Sequence, residues 1–210
     1  MRRAQREGVD RAQRLQFGRQ VGRARHAGAL QAAGGGVALG LAGSFIEPLE
    51  STSLHLIQLA IEKLLLHFPS GAALAIADVE RDSFNQHMEL EYLRVRDFLI
   101  LHYHATQRND SPFWQYCRTM AVPAELTQKL QQFRASGRIF RHNNEMFSDL
   151  SWFEVMVGQG INPNSYHPMA DLFPSAELAK RLEGIRNVVR KSVDYMPSHQ
   201  SYIDQFCKAG

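Results

Sequence analysis

Gly40-Leu41-Ala42-Gly43-Ser44-Phe45-Ile46-Glu47-Pro48-Leu49-Glu50-Ser51-Thr52-Ser53-Leu54 carries the chain from an apolar run of small residues, through a polar turn, to the start of a long apolar segment that continues to Phe68. The pattern predicts a strand, a tight turn and a helix start. Pro48 suits a first helical position, because the N–H it lacks would have no intrahelical partner there. Glu50, Ser51 and Thr52 then put a carboxylate and two hydroxyls in the first turn, where unpaired backbone N–H groups and the helix dipole favour anions. Such an end holds an inorganic anion as readily as a side chain. The same residues also serve as an ordinary cap on a buried helix.

The length of 210 residues allows one domain with a hydrophobic core. The longest apolar stretch, around Leu54–Leu66, is interrupted by His55, Gln58, Glu62 and Lys63, which excludes a membrane span for it. Cys117 and Cys207 form neither a C-x-x-C pair nor a disulfide framework, so a reduced, cytoplasmic protein is expected. The net charge of +3 is unevenly spread. Residues 1–36 hold eight arginines against Glu7 and Asp10, which makes this arm +6 and leaves the remainder at −3. The basic pI therefore says nothing about nucleic-acid binding by the body.

The arm is rich in Arg, Ala, Gln and Gly, contains no Lys and has few large apolar residues, a composition that predicts disorder or a frayed helix. It has three readings: a basic segment for nucleic acid or anionic surfaces, an organellar targeting peptide, or a stretch that is not a native part of the fold. The third is favoured, because Arg without Lys beside Ala and Gly is what an out-of-frame reading of GC-rich coding sequence yields. Gly34-Gly35-Gly36 completes neither G-x-G-x-x-G nor G-x-x-x-x-G-K-[ST].

Further along, the periodicity predicts helices. Leu54 to Phe68 is apolar nearly all round and reads as a buried helix. Phe84, Met88, Tyr92, Val95, Leu99 and His102 fall at helical spacing within a helix over 81–105. His102 and His104 are two residues apart and so do not share a helical face, which argues against a metal site. Asn109-Asp110-Ser111-Pro112 is a helix start with Trp114 in the core. Leu126, Leu130 and Phe133 line one face of a helix that Gly137 ends. Residues 147–160 read as a short aromatic helix closed by glycines. Leu178, Leu182, Ile185, Val189 and Val193 mark the inner side of a helix that starts at Pro174-Ser175, and Ser198 caps the last one.

The stretch Gly-Leu-Ala-Gly-Ser-Phe-Ile-Glu-Pro-Leu-Glu-Ser-Thr-Ser resembles the signature of the flavin-dependent tryptophan halogenase family. Three further segments are similar to family motifs: Arg96-Asp97-Phe98-Leu99-Ile100-Leu101-His102-Tyr103, Asp110-Ser111-Pro112-Phe113-Trp114, and the run from Ser151-Trp152 through Gly158-Gln159-Gly160 to Tyr166-His167-Pro168. The last looks like the branch acting on indole-type aromatics, because the interval from Trp152 to Gly158 is short and lacks the residues that hold free tryptophan's amino-acid moiety.

The resemblance covers residues 37–207 and implies a mainly α fold: the helical C-terminal substrate part of a flavin monooxygenase-like α/β enzyme, with one residual strand of the flavin domain. It divides the chain into the arm 1–36, a strand-turn-helix remnant of the flavin-binding domain at 37–54, and a helical substrate-binding part at 55–210. It implies halogenation of an indole or tryptophan-like aromatic with reduced FAD, oxygen and halide. Glu50 becomes the catalytic carboxylate, orienting the electrophile and accepting the ring proton. Thr52 and Ser53 become the halide site through backbone N–H groups, with Ser53 standing where the family often has Gly. Leu41 and Leu54 fall where family members touch the flavin, and Ser151 and Trp152 become candidate pocket residues; for Trp152 plain core filling is an equal reading.

The partners implied are a small aromatic substrate and a flavin reductase, with a homodimer allowed. The family's FAD-binding part and catalytic lysine lie upstream of the matching region. The isolated chain is accordingly expected to be an inactive fragment that does not retain FAD and that exposes an apolar face. Two other classes stay open: a non-catalytic helical interaction module, and a flavin monooxygenase that hydroxylates.

Overall fold

The computed structural model describes residues 32–33, 36–43, 46–68, 76–142 and 145–207. The readings of the arm lie outside the described residues apart from Ala32, Ala33 and Gly36. What is described is mainly helical, and it falls into two units, one ending at Ser165 and the other beginning at Tyr166.

In the first unit, β1 (Ala32–Ala33) pairs antiparallel with β2 (Gly36–Val37), Ala32 opposite Val37. The extended run predicted beyond them stops early. Gly40 takes a φ of 62°, a left-handed value open to glycine at little cost, and Gly40–Ala42 curls into a 3-10 turn.

Five α-helices follow in this unit: α1 (Thr52–Leu66), α2 (Asp78–His104), α3 (Pro112–Thr119), α4 (Ala124–Ser136) and α5 (Asp149–Gly158). The spine is α2. Its Phe84, Met88, Tyr92, Val95 and Leu99 recur every three or four residues and meet Ile46, Leu56 and Ala60 in one apolar cluster. Phe98, Ile100 and Leu101 leave the helix on other sides and join Leu126, Leu130 and Phe133 of α4 with Trp152 and Met156 of α5 in a second. Residues 95–101 of α2 are therefore buried all round. Within that stretch Arg96 donates through Nε and Nη2 to Asp97 Oδ1, at 2.8 and 2.6 Å, so that two adjacent buried charges satisfy each other. Burial nonetheless pushes the Asp97 carboxyl above its usual range, against the pull of Arg96. Gly137 ends α4 at a φ of 68°, as its position in the sequence predicts.

The all-round burial expected of α1 does not occur. Thr52, Leu56 and Ala60 are buried, whereas Leu54, Ile61, Leu65, Leu66 and Phe68 are exposed, Leu54 by 69%. The residues on the α2 side are covered and the opposite face meets solvent. Trp114, expected in the core, is half-buried; its ring stacks on Tyr103 at 6.0 Å and lies under the Arg108 guanidinium.

The second unit holds a 3-10 turn (Pro168–Leu172), α6 (Ser175–Tyr195) and α7 (His199–Phe206). Ser198 caps α7 by accepting from the Ser201 N–H. The row on α6 predicted to face inward is exposed at every member, from Leu178 to Val193. The 3.6-residue period is right and the burial is not, because periodicity specifies a face and not what covers it.

Candidate functional site

The segment from Ile46 to Ser53 does not run straight into its helix as the pattern predicted. Pro48 precedes a 3-10 turn, Leu49–Ser51, and α1 begins only at Thr52. Between them Glu50 and Ser51 sit consecutively at φ values of 62° and 55°. They are the only non-glycine residues with positive φ among those described. Each costs about 1–2 kcal/mol, because Cβ crowds the backbone carbonyl in this conformation. Strain of this kind collects where a backbone must present particular groups.

Three groups are presented here. The Glu50 carboxylate is 45% exposed, and its Oε1 lies 3.2 Å from His102 Nε2 at the far end of α2. It does not point into hydrocarbon. The Thr52 side chain is fully buried, and its hydroxyl has no hydrogen-bond partner among the described residues. The first N–H groups of α1, from Thr52 and Ser53 onward, lack carbonyl partners within the helix, and the Ser51 hydroxyl at the N-cap accepts from none of them. A left-handed residue followed by a helical one, as in Ser51–Thr52, also turns successive N–H groups toward one side, which is a concavity suited to an anion.

The other glutamate of the turn is held as well. The Tyr103 hydroxyl hydrogen-bonds the Glu47 carboxylate, and burial together with that carboxylate pushes its pKa up to about 12. His102 and Tyr103 thus meet Glu50 and Glu47 respectively. The sequence reading missed the contact. The signal available was the adjacency of an imidazole and a phenol directly after the apolar run Phe98-Leu99-Ile100-Leu101.

The remaining predicted site residues are dispersed. Leu41 falls in the 3-10 turn Gly40–Ala42, and its side chain lies outside what is described. Leu54 is one turn into α1 and open to solvent. Ser151 is part of a cap: Ser148 Oγ accepts from its N–H at 3.0 Å, and the two hydroxyls are 2.9 Å apart. Trp152 is buried against Phe98, under Lys129 Nζ at 4.1 Å from its ring. It also lines a hollow of about 200 Å³ with Arg94, Asp97, Lys129 and Glu145. Among the described residues no three His, Cys, Asp or Glu side chains gather as a metal site, and no helix is long and apolar enough to cross a membrane.

A family model described as tryptophan halogenase matches residues 4–175, a span that takes in most of the arm. Tryptophan 6-halogenase SttH from Streptomyces toxytricini is 32% identical over 170 residues, which is 79% of this chain and 32% of the relative. Among solved structures, the flavin-dependent halogenase Xcc4156 from Xanthomonas campestris superposes with a TM-score of 0.77 at 44% identity, over 86% of this chain and 36% of that one. BrvH, a flavin-dependent halogenase from Brevundimonas sp. BAL3, gives 0.76 at 38% identity, over 83% and 35%. The chain thus spans about a third of the length of the relatives it matches.

Proposed function

Because the chain belongs to the tryptophan halogenase family, we propose that it forms the halide-side wall of a flavin-dependent halogenase acting on an indole-type aromatic. The observation that carries this reading is the strained Glu50–Ser51 turn. It leaves a half-exposed carboxylate beside a helix start whose Thr52 hydroxyl is buried and unpartnered.

The residues present fit a halide. An anion at this end would meet the backbone N–H groups of Thr52 and Ser53, the positive end of the α1 dipole, and a hydroxyl that has no partner among the described residues. Reduced FAD, when bound, supplies with oxygen the oxidising equivalents that convert halide to an electrophile. Leu54, exposed at the start of α1, offers an apolar surface for a flat ring. Glu50 has the chemistry to orient the electrophile by hydrogen bonding and to accept the proton that leaves the substituted ring carbon. The short interval from Trp152 to Gly158 supports an indole-type substrate over free tryptophan. A flavin reductase belongs to the same reading. So does the expectation that this chain, at a third of its relatives' length, neither halogenates nor retains FAD alone.

Glu50→Gln tests the assignment in a protein of the family's full length, assayed with indole, bromide and a flavin reductase. Loss of a positioned acid–base group predicts a fall of about 100-fold or more in halogenated product, with flavin binding unchanged. Undiminished halogenation by the variant would remove Glu50 from the chemistry. Product that forms independently of bromide would point instead to a hydroxylating monooxygenase.

A further inference from the structure

His102 is held at both ring nitrogens. Nδ1 lies 2.9 Å from the Phe98 carbonyl oxygen, which can only accept, so Nδ1 carries a hydrogen. Nε2 lies 3.2 Å from Glu50 Oε1. With Nδ1 already protonated, a neutral imidazole would turn a bare lone pair toward a carboxylate oxygen, and the two would repel. The contact is a hydrogen bond only if one further proton lies between them. That proton belongs on the imidazole, since an imidazole nitrogen is a stronger base than a carboxylate oxygen.

We propose that His102 is a positioning residue for Glu50: as an imidazolium it donates Nε2–H to Oε1 and holds the carboxylate at the mouth of α1. The catalytic meaning of this contact rests on the reading of Glu50 given above, whereas the contact itself does not.

The surroundings suit the assignment. The preceding turn brings two acids to this end of α2, Glu50 against His102 and Glu47 against Tyr103. From α3, Cys117 stands near Tyr103 with its thiol pushed up to about 11 by burial, so it is uncharged at neutral pH. His104 turns away from the pair, its Nδ1 against the Cys117 carbonyl at 3.2 Å. On the remaining side Phe98 meets the imidazole edge-on at 4.8 Å and is itself backed by Phe147 and Trp152, which bring no charge to the ring. A ring fixed by a backbone carbonyl and by aromatic packing has one direction left for Nε2. That direction leads to Glu50.

The test uses the chain as it stands, labelled with ¹⁵N and ¹³C, and compares wild type with Glu50→Gln and His102→Gln by NMR at pH 7. At this pH an unpaired imidazole has largely lost its second proton. The expected wild-type signature is a hydrogen on both His102 nitrogens. In Glu50→Gln the Nε2–H signal is lost at pH 7, because the negative charge that holds the second proton on the ring is gone. In His102→Gln the Glu50 carboxyl-carbon signal moves from its wild-type position at pH 7 while circular dichroism retains the helical signal. A bare Nε2 in the wild type at pH 7 overturns the proposal, and this observation needs no variant to fold. Full halogenation by Glu50→Gln would sink the functional reading and leave the shared proton standing. Absence of the Nε2–H signal would sink this inference alone.

Discussion

Thr52 stands with its hydroxyl inside the fold and nothing among the described residues to bond it. A buried donor left unpaired costs about 1–3 kcal/mol, more than the net gain of most hydrogen bonds. Thr52→Val keeps the shape and the β-branch and removes the orphaned group. In urea unfolding the variant is expected to be more stable than the wild type by about 1 kcal/mol. The same substitution should weaken protection by bromide, since one of the anion's contacts is gone. A stability loss in Thr52→Val would mean that the hydroxyl is satisfied and is not waiting for a ligand. The neighbouring Glu50 and Ser51 add to the local cost through their left-handed φ values. The residue types at 50–53 were legible in the sequence. Their conformation was not, because Glu and Ser carry no propensity for positive φ that would announce it.

The contact between α2 and α3 gives the clearest titration at the scale of elements. Burial in this layer pushes the Cys117 thiol up to about 11 from 9.0, and burial with Glu47 pushes the Tyr103 hydroxyl up to about 12 from 10.0. In both cases the folded form keeps a proton that the unfolded chain gives up at lower pH. Stability from these groups is therefore fully present below pH 9 and lost as pH rises toward 11 and 12. The urea midpoint should hold steady to about pH 9 and fall beyond it. Iodoacetamide at pH 8 should modify the exposed Cys207 and spare Cys117, as peptide mapping would read directly. Equal labelling of the two thiols would contradict the burial of Cys117. The helices themselves were well marked in the sequence. Asp78–His104 and Ala124–Ser136 match their predicted cores, because a hydrophobic residue every three or four positions is a local signal.

At the scale of the molecule, several helices show apolar side chains to solvent among the described residues, with the longest rows at Leu54, Ile61, Leu65 and Leu66 on α1 and at Leu178 through Val193 on α6. Contiguous exposed apolar surface marks a face that another surface covers, or one prone to association. Static light scattering is expected to show mass rising with concentration. Ile185→Glu with Val189→Glu should reduce that rise and leave helical content intact, both residues being exposed. An unchanged concentration dependence would place the association elsewhere.

The amino-acid sequence by itself determined the helix periods, the stop at Gly137, the cap at Ser198 and the acid-and-hydroxyl turn ahead of α1, since each depends on residues within a few positions of one another. The sequence also carried the family motif that the comparisons then matched. Only the tertiary structure decided that His102 meets Glu50 across 52 residues of chain, that α1 is covered on one face alone, and that Glu50 and Ser51 lie in the left-handed region. Those outcomes follow from which elements come to lie together, and a local pattern of side chains cannot state what its own face will meet.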